Sequence, residues 1–227
     1  MELHTKHFPN ESSEYRAARN ELLEAEIALR RQTEAVAAMR RALPQGGKLR
    51  KDYEFKEIVN GKTNTTKFSE LFNEGKGSLV IYSFMYAPND EKPCPMCNSI
   101  IDGLNGSAPH IRDRINFVVV SKAPLDKLMA WAKYRGWHNV RLLSSNENTY
   151  NHDYFGENDK GGQEPALNVF RKESDGIYHS FCTELMFAPS DPGQNMRHVD
   201  SIWPIWNMFD FTVDGRGEKW KPKFEYA

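Results

Sequence analysis

Apolar residues recur at spacings of three and four along the segment from about Ser12 to Leu43, at Leu22, Ala25, Leu29, Val36, Met39 and Leu43. The segment contains neither Gly nor Pro and is built mostly from Ala, Leu, Glu, Arg and Gln, all good helix formers. The spacing predicts one long helix, opened by Pro9-Asn10 and stopped by Pro44-Gln45-Gly46-Gly47. Its apolar stripe needs a surface to lie against. A break at Gln32-Thr33 argues against a coiled coil. The stripe is read as packing on the chain's own domain, with a homodimer through this helix as the alternative.

Beyond the glycines the period changes. Lys48 to Glu57 reads as an extended segment around Tyr53 and Phe55, and Lys67 to Phe72 as one turn of helix. Ser78 to Met85 and Ile115 to Ser121 are near-continuous apolar runs rich in β-branched and aromatic residues, the pattern of strands buried on both faces. Between them a helix opens at Cys94 and continues through Ser99–Leu104 to the Gly103–Gly106 region. A second helix, Leu125 to Arg135, follows Pro124 and stops at Gly136. Val140 to Ser144 is a third strand, and Asn146 to Gly162 a long polar loop. Ala166 to Arg171 and Ile177 to Leu185 form a hairpin turned at Ser174-Asp175-Gly176. This order predicts a mixed sheet with crossover helices. Three regions are expected: a helical extension over 1–47, the sheet domain over 48–197, and an aromatic tail over 198–227 that wraps onto the same domain.

Composition narrows the function classes. A net charge of −1 over 227 residues offers no electrostatic footprint for a nucleic acid or a membrane surface. No run approaches the ~18 apolar residues of a membrane span, and the first residues hold no apolar core of a signal peptide. The cytoplasm is the expected compartment. Three cysteines are too few for a disulfide scaffold, and two of them sit three apart as Cys94-Pro95-Met96-Cys97. In a reducing compartment that spacing points to redox or metal chemistry.

The position of this pair carries the functional argument. It follows a buried strand and opens a helix, where free backbone N–H groups and the helix dipole stabilise an anion. A cysteine there is expected to have a depressed pKa, and the thiolate is the reactive form. Cys94 is assigned as the attacking sulfur and Cys97, one turn later, as the sulfur that resolves a mixed disulfide. Zinc would need a second ligand pair, and no further CxxC or HxxxH pair exists, so no metal or other cofactor is expected; whether His110, His179 and His198 meet in space is open. Cys182 is read as a core residue on a strand. Arg16 and Arg19 are read as solvated surface.

Glu164-Pro165-Ala166-Leu167-Asn168-Val169-Phe170, followed by a Gly turn and another strand, resembles the thioredoxin pattern, in which a cis-proline opens the strand beside the dithiol. The resemblance implies that Glu164 and Pro165 shape a substrate groove. Wider similarity runs along nearly the whole chain. His7-Phe8-Pro9-Asn10-Glu11-Ser12, Tyr15-Arg16, Leu43-Pro44, Asp52-Tyr53 and Phe68-Ser69-Glu70-Leu71-Phe72 carry it first. Tyr82-Ser83-Phe84-Met85-Tyr86, the dithiol, Gly136-Trp137 and Arg141-Leu142-Leu143-Ser144-Ser145 continue it. Arg197-His198-Val199-Asp200, Trp203-Pro204-Ile205-Trp206 and Asp214-Gly215-Arg216-Gly217 close it. On these motifs the chain resembles the family known as domain of unknown function 899, described as thioredoxin-like and as predicted dithiol–disulfide oxidoreductases. The resemblance implies a thioredoxin-like α/β fold: a mixed sheet flanked by helices, with a long N-terminal helix and an aromatic C-terminal extension. It also implies a protein or small-molecule disulfide or thiol as reaction partner. Two departures matter. Thioredoxin has a Trp before its first cysteine and Gly-Pro between the two, where this chain has Lys92-Pro93 and Pro95-Met96. Peroxiredoxins place a hydroxyl residue three before the attacking cysteine, where this chain has Glu91. The favoured reading is thiol–disulfide exchange. The alternatives are a catalytically silent thioredoxin-like binding module and a thiol peroxidase using Cys94.

Overall fold

The stripe of threes and fours forms helix α1 (Ser13–Arg41) in the computed structural model, which describes residues 3–217 and 219–226. The Ser12 side chain caps it by accepting from the Tyr15 N–H at 3.1 Å. None of its residues is buried, and Leu22, Leu29 and Met39 are all more than half exposed. α1 falls in one compact unit, Met1–Pro44, while Gln45–Ala227 forms the other.

The second unit is organised on one seven-stranded sheet. Its strands are β1 (Glu54–Val59), β2 (Lys62–Lys67), β3 (Ser78–Phe84), β4 (Asn116–Ser121), β5 (Leu142–Ser144), β6 (Leu167–Glu173) and β7 (Gly176–Cys182). They lie in the order β2-β1-β5-β4-β3-β6-β7. β3, β4 and β5 are parallel, whereas β6 runs antiparallel to β3 and pairs with β7 as a hairpin. Helix α2 (Pro95–Arg114) joins β3 to β4, and helix α3 (Leu125–Arg135) joins β4 to β5. The two crossovers step the same way across the sheet, so right-handed connections put both helices on one face. This is the expected thioredoxin-like α/β architecture.

Period-two alternation sorts the core into two layers. Tyr82 and Phe84 of β3, with Phe117 and Val119 of β4, pack against Cys97, Ile100, Ile101 and Leu104 of α2 and Leu128 and Ala132 of α3. Leu79 and Ile81, with Val118 and Val120, face the opposite layer, which is dominated by Tyr53, Phe55, Phe68, Tyr150 and Phe170. Here the 3₁₀ turn Phe68–Leu71 and the short helix α4 (Tyr150–Asp153) supply the cover. β1 meets β5 through the pairing of Lys56 with Ser144. That contact is reinforced by Arg141, whose guanidinium donates to both Glu57 carboxylate oxygens at 2.8 and 2.7 Å. Upstream of β1, the Leu49 N–H donates to the Ile177 carbonyl at 2.7 Å and the His179 N–H to the Gly47 carbonyl at 2.9 Å, joining residues 47–49 to β7.

Several elements differ from expectation. Lys48–Glu57 is the prelude to a hairpin turned at Asn60-Gly61, both with positive φ (51° and 75°), as a two-residue type I′ turn requires. Helix α2 runs through Gly103, Gly106 and Pro109 to Arg114, its apolar face of Ile100, Ile101, Leu104 and Ala108 buried despite propensity costs of ~1 kcal/mol per glycine and ~3 kcal/mol for the proline. The polar loop after β5 contains α4, and the end of the last strand is a 3₁₀ turn, Glu184–Phe187. In the aromatic tail, the 3₁₀ turn Asp200–Ile202 and helix α5 (Pro204–Asp210) follow Val199. Val199 and Trp203 are buried in the layer that holds Cys97. Among the described residues no helix is long and apolar enough to cross a membrane.

Phe68 is fully buried and meets the rings of Tyr53, Phe55, Phe72, Tyr150 and Phe170. Phe68→Ala is expected to cost ~3–5 kcal/mol of unfolding free energy, read from the shift of a urea denaturation midpoint; a shift worth under ~1 kcal/mol would contradict this packing.

Candidate functional site

β3 ends at Phe84 and the chain turns through a loop before α2. The Cys94 N–H donates to the Met85 carbonyl at 3.0 Å, which ties the loop's end to its start. Cys94 is the N-cap of α2 and Pro95 its first residue, where a missing N–H costs nothing. Cys97 lies one turn further on. The structure therefore puts both cysteines where a strand hands over to a helix. Cys94 is partly exposed and Cys97 is buried, and both are free.

The two sulfurs are electrostatically unequal. Cys94 is lowered to about 6, chiefly because the Cys97 thiol donates a hydrogen bond to its sulfur, while partial burial works against the shift. The sulfur closes no capping bond of ordinary geometry. The N–H groups of Cys97 and Met96 nonetheless face it and favour the anion. Cys97 is pushed well above the ordinary thiol value, first by that same donated bond, then by burial and by the Cys94 charge. The coupling thus favours the anion on Cys94 and the proton on Cys97.

Three side chains that pattern reading did not single out complete the setting. The Tyr82 hydroxyl is fully buried without a hydrogen bond of ordinary geometry. After burial, the Cys97 sulfur is what raises its pKa most, and the hydroxyl in turn favours the Cys97 anion. Asn98, also fully buried, donates its N–H to the Cys94 carbonyl at 3.0 Å and its side-chain amide to Asp102 at 3.1 Å. The Trp131 indole N–H from α3 donates to the Asn98 side-chain carbonyl at 3.0 Å. Asp102 in turn accepts from the Trp137 indole and the Arg135 guanidinium, each at 2.7 Å. The only local hint of this network was a polar Asn inside the apolar face of α2.

Glu164 and Pro165 precede β6. The Ala166 carbonyl accepts from the Ser83 N–H at 2.7 Å, so these residues run alongside the end of β3. The expected cis-proline is corrected: no peptide among the described residues is cis. The Glu164 N–H donates to the Gly156 carbonyl at 3.0 Å and its carboxylate accepts from Asn158 at 3.0 Å, which carries the chain into β6 in the ordinary trans form. Cys182 is buried on β7, and burial raises its thiol to about 11. His179 hydrogen-bonds Asn168 at 2.9 Å. Among the described residues no three His, Cys, Asp or Glu side chains are grouped to hold a metal ion.

The profile of a family described as "Bacterial protein of unknown function (DUF899)" matches residues 4–226. No curated protein matches the sequence. Similar solved structures include reduced Prx3 in complex with hydrogen peroxide from Vibrio vulnificus, at 14% identity and a TM-score of 0.45, with 67% of this chain and 91% of that one covered. Another is the reduced 2-Cys peroxiredoxin of Plasmodium vivax, at 17% identity and a TM-score of 0.46, covering 71% and 98%. A third is thioredoxin peroxidase I of Plasmodium yoelii, at 14% and 0.47, covering 78% and 99%.

Alkylation of Cys94 by iodoacetamide is expected to rise with pH around a midpoint of about 6. Cys97→Ala deletes the sulfur's principal donor, so the midpoint should move up toward the ordinary ~8.5 of a free thiol. An unchanged midpoint in that variant would contradict the bond between the two sulfurs.

Proposed function

The chain belongs to the DUF899 family of bacterial proteins of unknown function, and we propose that this member is a thiol–disulfide oxidoreductase. One observation carries the reading: a partly exposed thiolate, Cys94, is stabilised at the start of α2 by a buried thiol, Cys97. The Cys94 thiolate attacks one sulfur of a substrate disulfide. The S–S bond breaks, and the leaving sulfur departs as thiolate and takes a proton from water. Cys97 then loses its proton and attacks the Cys94 sulfur, releasing the second substrate thiol and leaving a Cys94–Cys97 disulfide. Two electrons pass to the substrate, and an external dithiol restores the starting state.

Burial protects the resolving sulfur from competing reactions, and the Tyr82 hydroxyl favours its anion at the moment of attack. Glu164 and Pro165 are assigned to the substrate side of the site; the register of β6 on β3 supports this through the Ser83–Ala166 bond, with a trans peptide. The reaction suits the cytoplasm, where free cysteines at this spacing stay reduced.

Insulin reduction coupled to a dithiol reductant tests the reading. The native protein is expected to turn over. Cys94→Ser should be inactive, and Cys97→Ser should be inactive while accumulating a mixed disulfide on Cys94, visible by intact mass. No exchange by the native protein, with sulfurs that do not alkylate, would favour the silent binding module. Peroxide consumption kept by Cys97→Ser and lost by Cys94→Ser would favour a thiol peroxidase instead.

A further inference from the structure

A cavity of about 530 Å³ opens next to the dithiol turn, lined by Lys92, Trp131, Tyr134, Phe224 and Glu225. That volume falls in the range that holds small organic ligands. Two routes, one along the backbone and one through hydrogen bonds, tie it to the backbone of Cys94. Lys92 stands two residues before Cys94, with buried Pro93 between them. Trp131 is bonded to Asn98, whose N–H holds the Cys94 carbonyl.

The walls are held in place before anything binds. The Trp131 ring meets Tyr134 and Phe224, each with centroids 5.2 Å apart. The Arg135 guanidinium donates to the Phe224 carbonyl at 2.6 Å, and the Tyr134 hydroxyl donates to the Glu225 carboxylate at 2.5 Å. Lys127 reaches from α3 to the carbonyls of Pro88 and Asp90 and lies 4.8 Å from the Tyr86 ring centre, fixing the loop that carries Lys92. Lys92 itself is exposed and has no ion-pair or hydrogen-bond partner among the described residues.

The lining thus combines one unpaired cation, one carboxylate and three aromatic faces. A carboxylate on the ligand meets Lys92. An ammonium meets Glu225 and the negative faces of the rings. We propose that this cavity, beside the turn that carries Cys94, binds a small disulfide of the amino-acid type, bearing both ammonium and carboxylate groups. The proposal rests on the exchange reading and names its substrate class.

Binding is measured without chemistry in a Cys94→Ser/Cys97→Ser protein, so that this test and the exchange assay fail separately. Three disulfides sharing one S–S core are titrated while tryptophan fluorescence is followed: cystine, with both charges; cystamine, with ammonium alone; and 3,3′-dithiodipropionate, with carboxylate alone. Cystine should quench the emission and bind tighter than either analogue by about two- to fivefold for each charge type lost, as exposed ion pairs allow. Trp131→Phe should remove the quenching. Lys92→Ala, an exposed substitution that leaves the core intact, should abolish the preference for cystine over cystamine, and Glu225→Gln the preference over dithiodipropionate. Equal binding of all three disulfides, absence of quenching by cystine, or a preference unmoved by Lys92→Ala would overturn the proposal. If cystine binds as described while the native protein exchanges no disulfide, the cavity assignment stands and the catalytic reading falls.

Discussion

The coupling between the Cys97 thiol and the Cys94 sulfur is the interaction on which the proposed chemistry of this molecule turns. It lowers the pKa of Cys94 and raises that of Cys97, so each residue sets the state of its neighbour. Burial decides which is which. Cys97 sits in the layer between α2 and the sheet, where an anion is costly, while Cys94 at the helix cap keeps access to solvent and to backbone N–H groups. Reversing the two would place a charge in the core and a neutral thiol at the surface.

That inequality depends on the sheet. β3 delivers the chain to the loop, the Cys94–Met85 bond closes the loop, and α2 starts at a fixed point because its apolar face is already committed to β3 and β4. Asn98 and Asp102 then bind α2 to α3 and the turn that follows it through two indoles and a guanidinium. The tail adds a second brace, since the Trp203 indole donates to Ser99 at 3.0 Å and Arg216 gathers Asp200 and Asp210, each at 2.6 Å. Three indoles, those of Trp131, Trp137 and Trp203, thus brace one helix.

The parts of this architecture that were legible in the sequence are those where a local pattern and a buried face agree. β3 and β4 announce themselves because both of their faces are covered, and the helix after Cys94 because Pro95 suits a first turn. β2 escaped notice since only Thr66 of its six residues is buried, leaving no alternation to read; Asn60-Gly61 was the available signal. The full length of α2 was hidden because Gly103, Gly106 and Pro109 argue locally for a stop that long-range packing overrides. Along the chain Tyr82 is one aromatic residue of a buried strand, and nothing local relates Asn98 or Trp131 to the dithiol. Their relation to the dithiol is created by contacts between distant segments, and the isomer at Pro165 is likewise a matter of the loop it closes rather than of its own flanking residues.

The short pairing of residues 47–49 with β7 has a consequence for what this sheet can recruit. An unprotected outer strand is a template for adding another chain. Here part of one margin is already occupied by the polypeptide's own backbone, and the other is β2, flanked by Lys62 and Lys67 with little apolar surface between them. Lysines on one edge and the chain's own backbone over part of the other discourage strand addition, which leaves the helical side, where Cys94 lies, as the more open face.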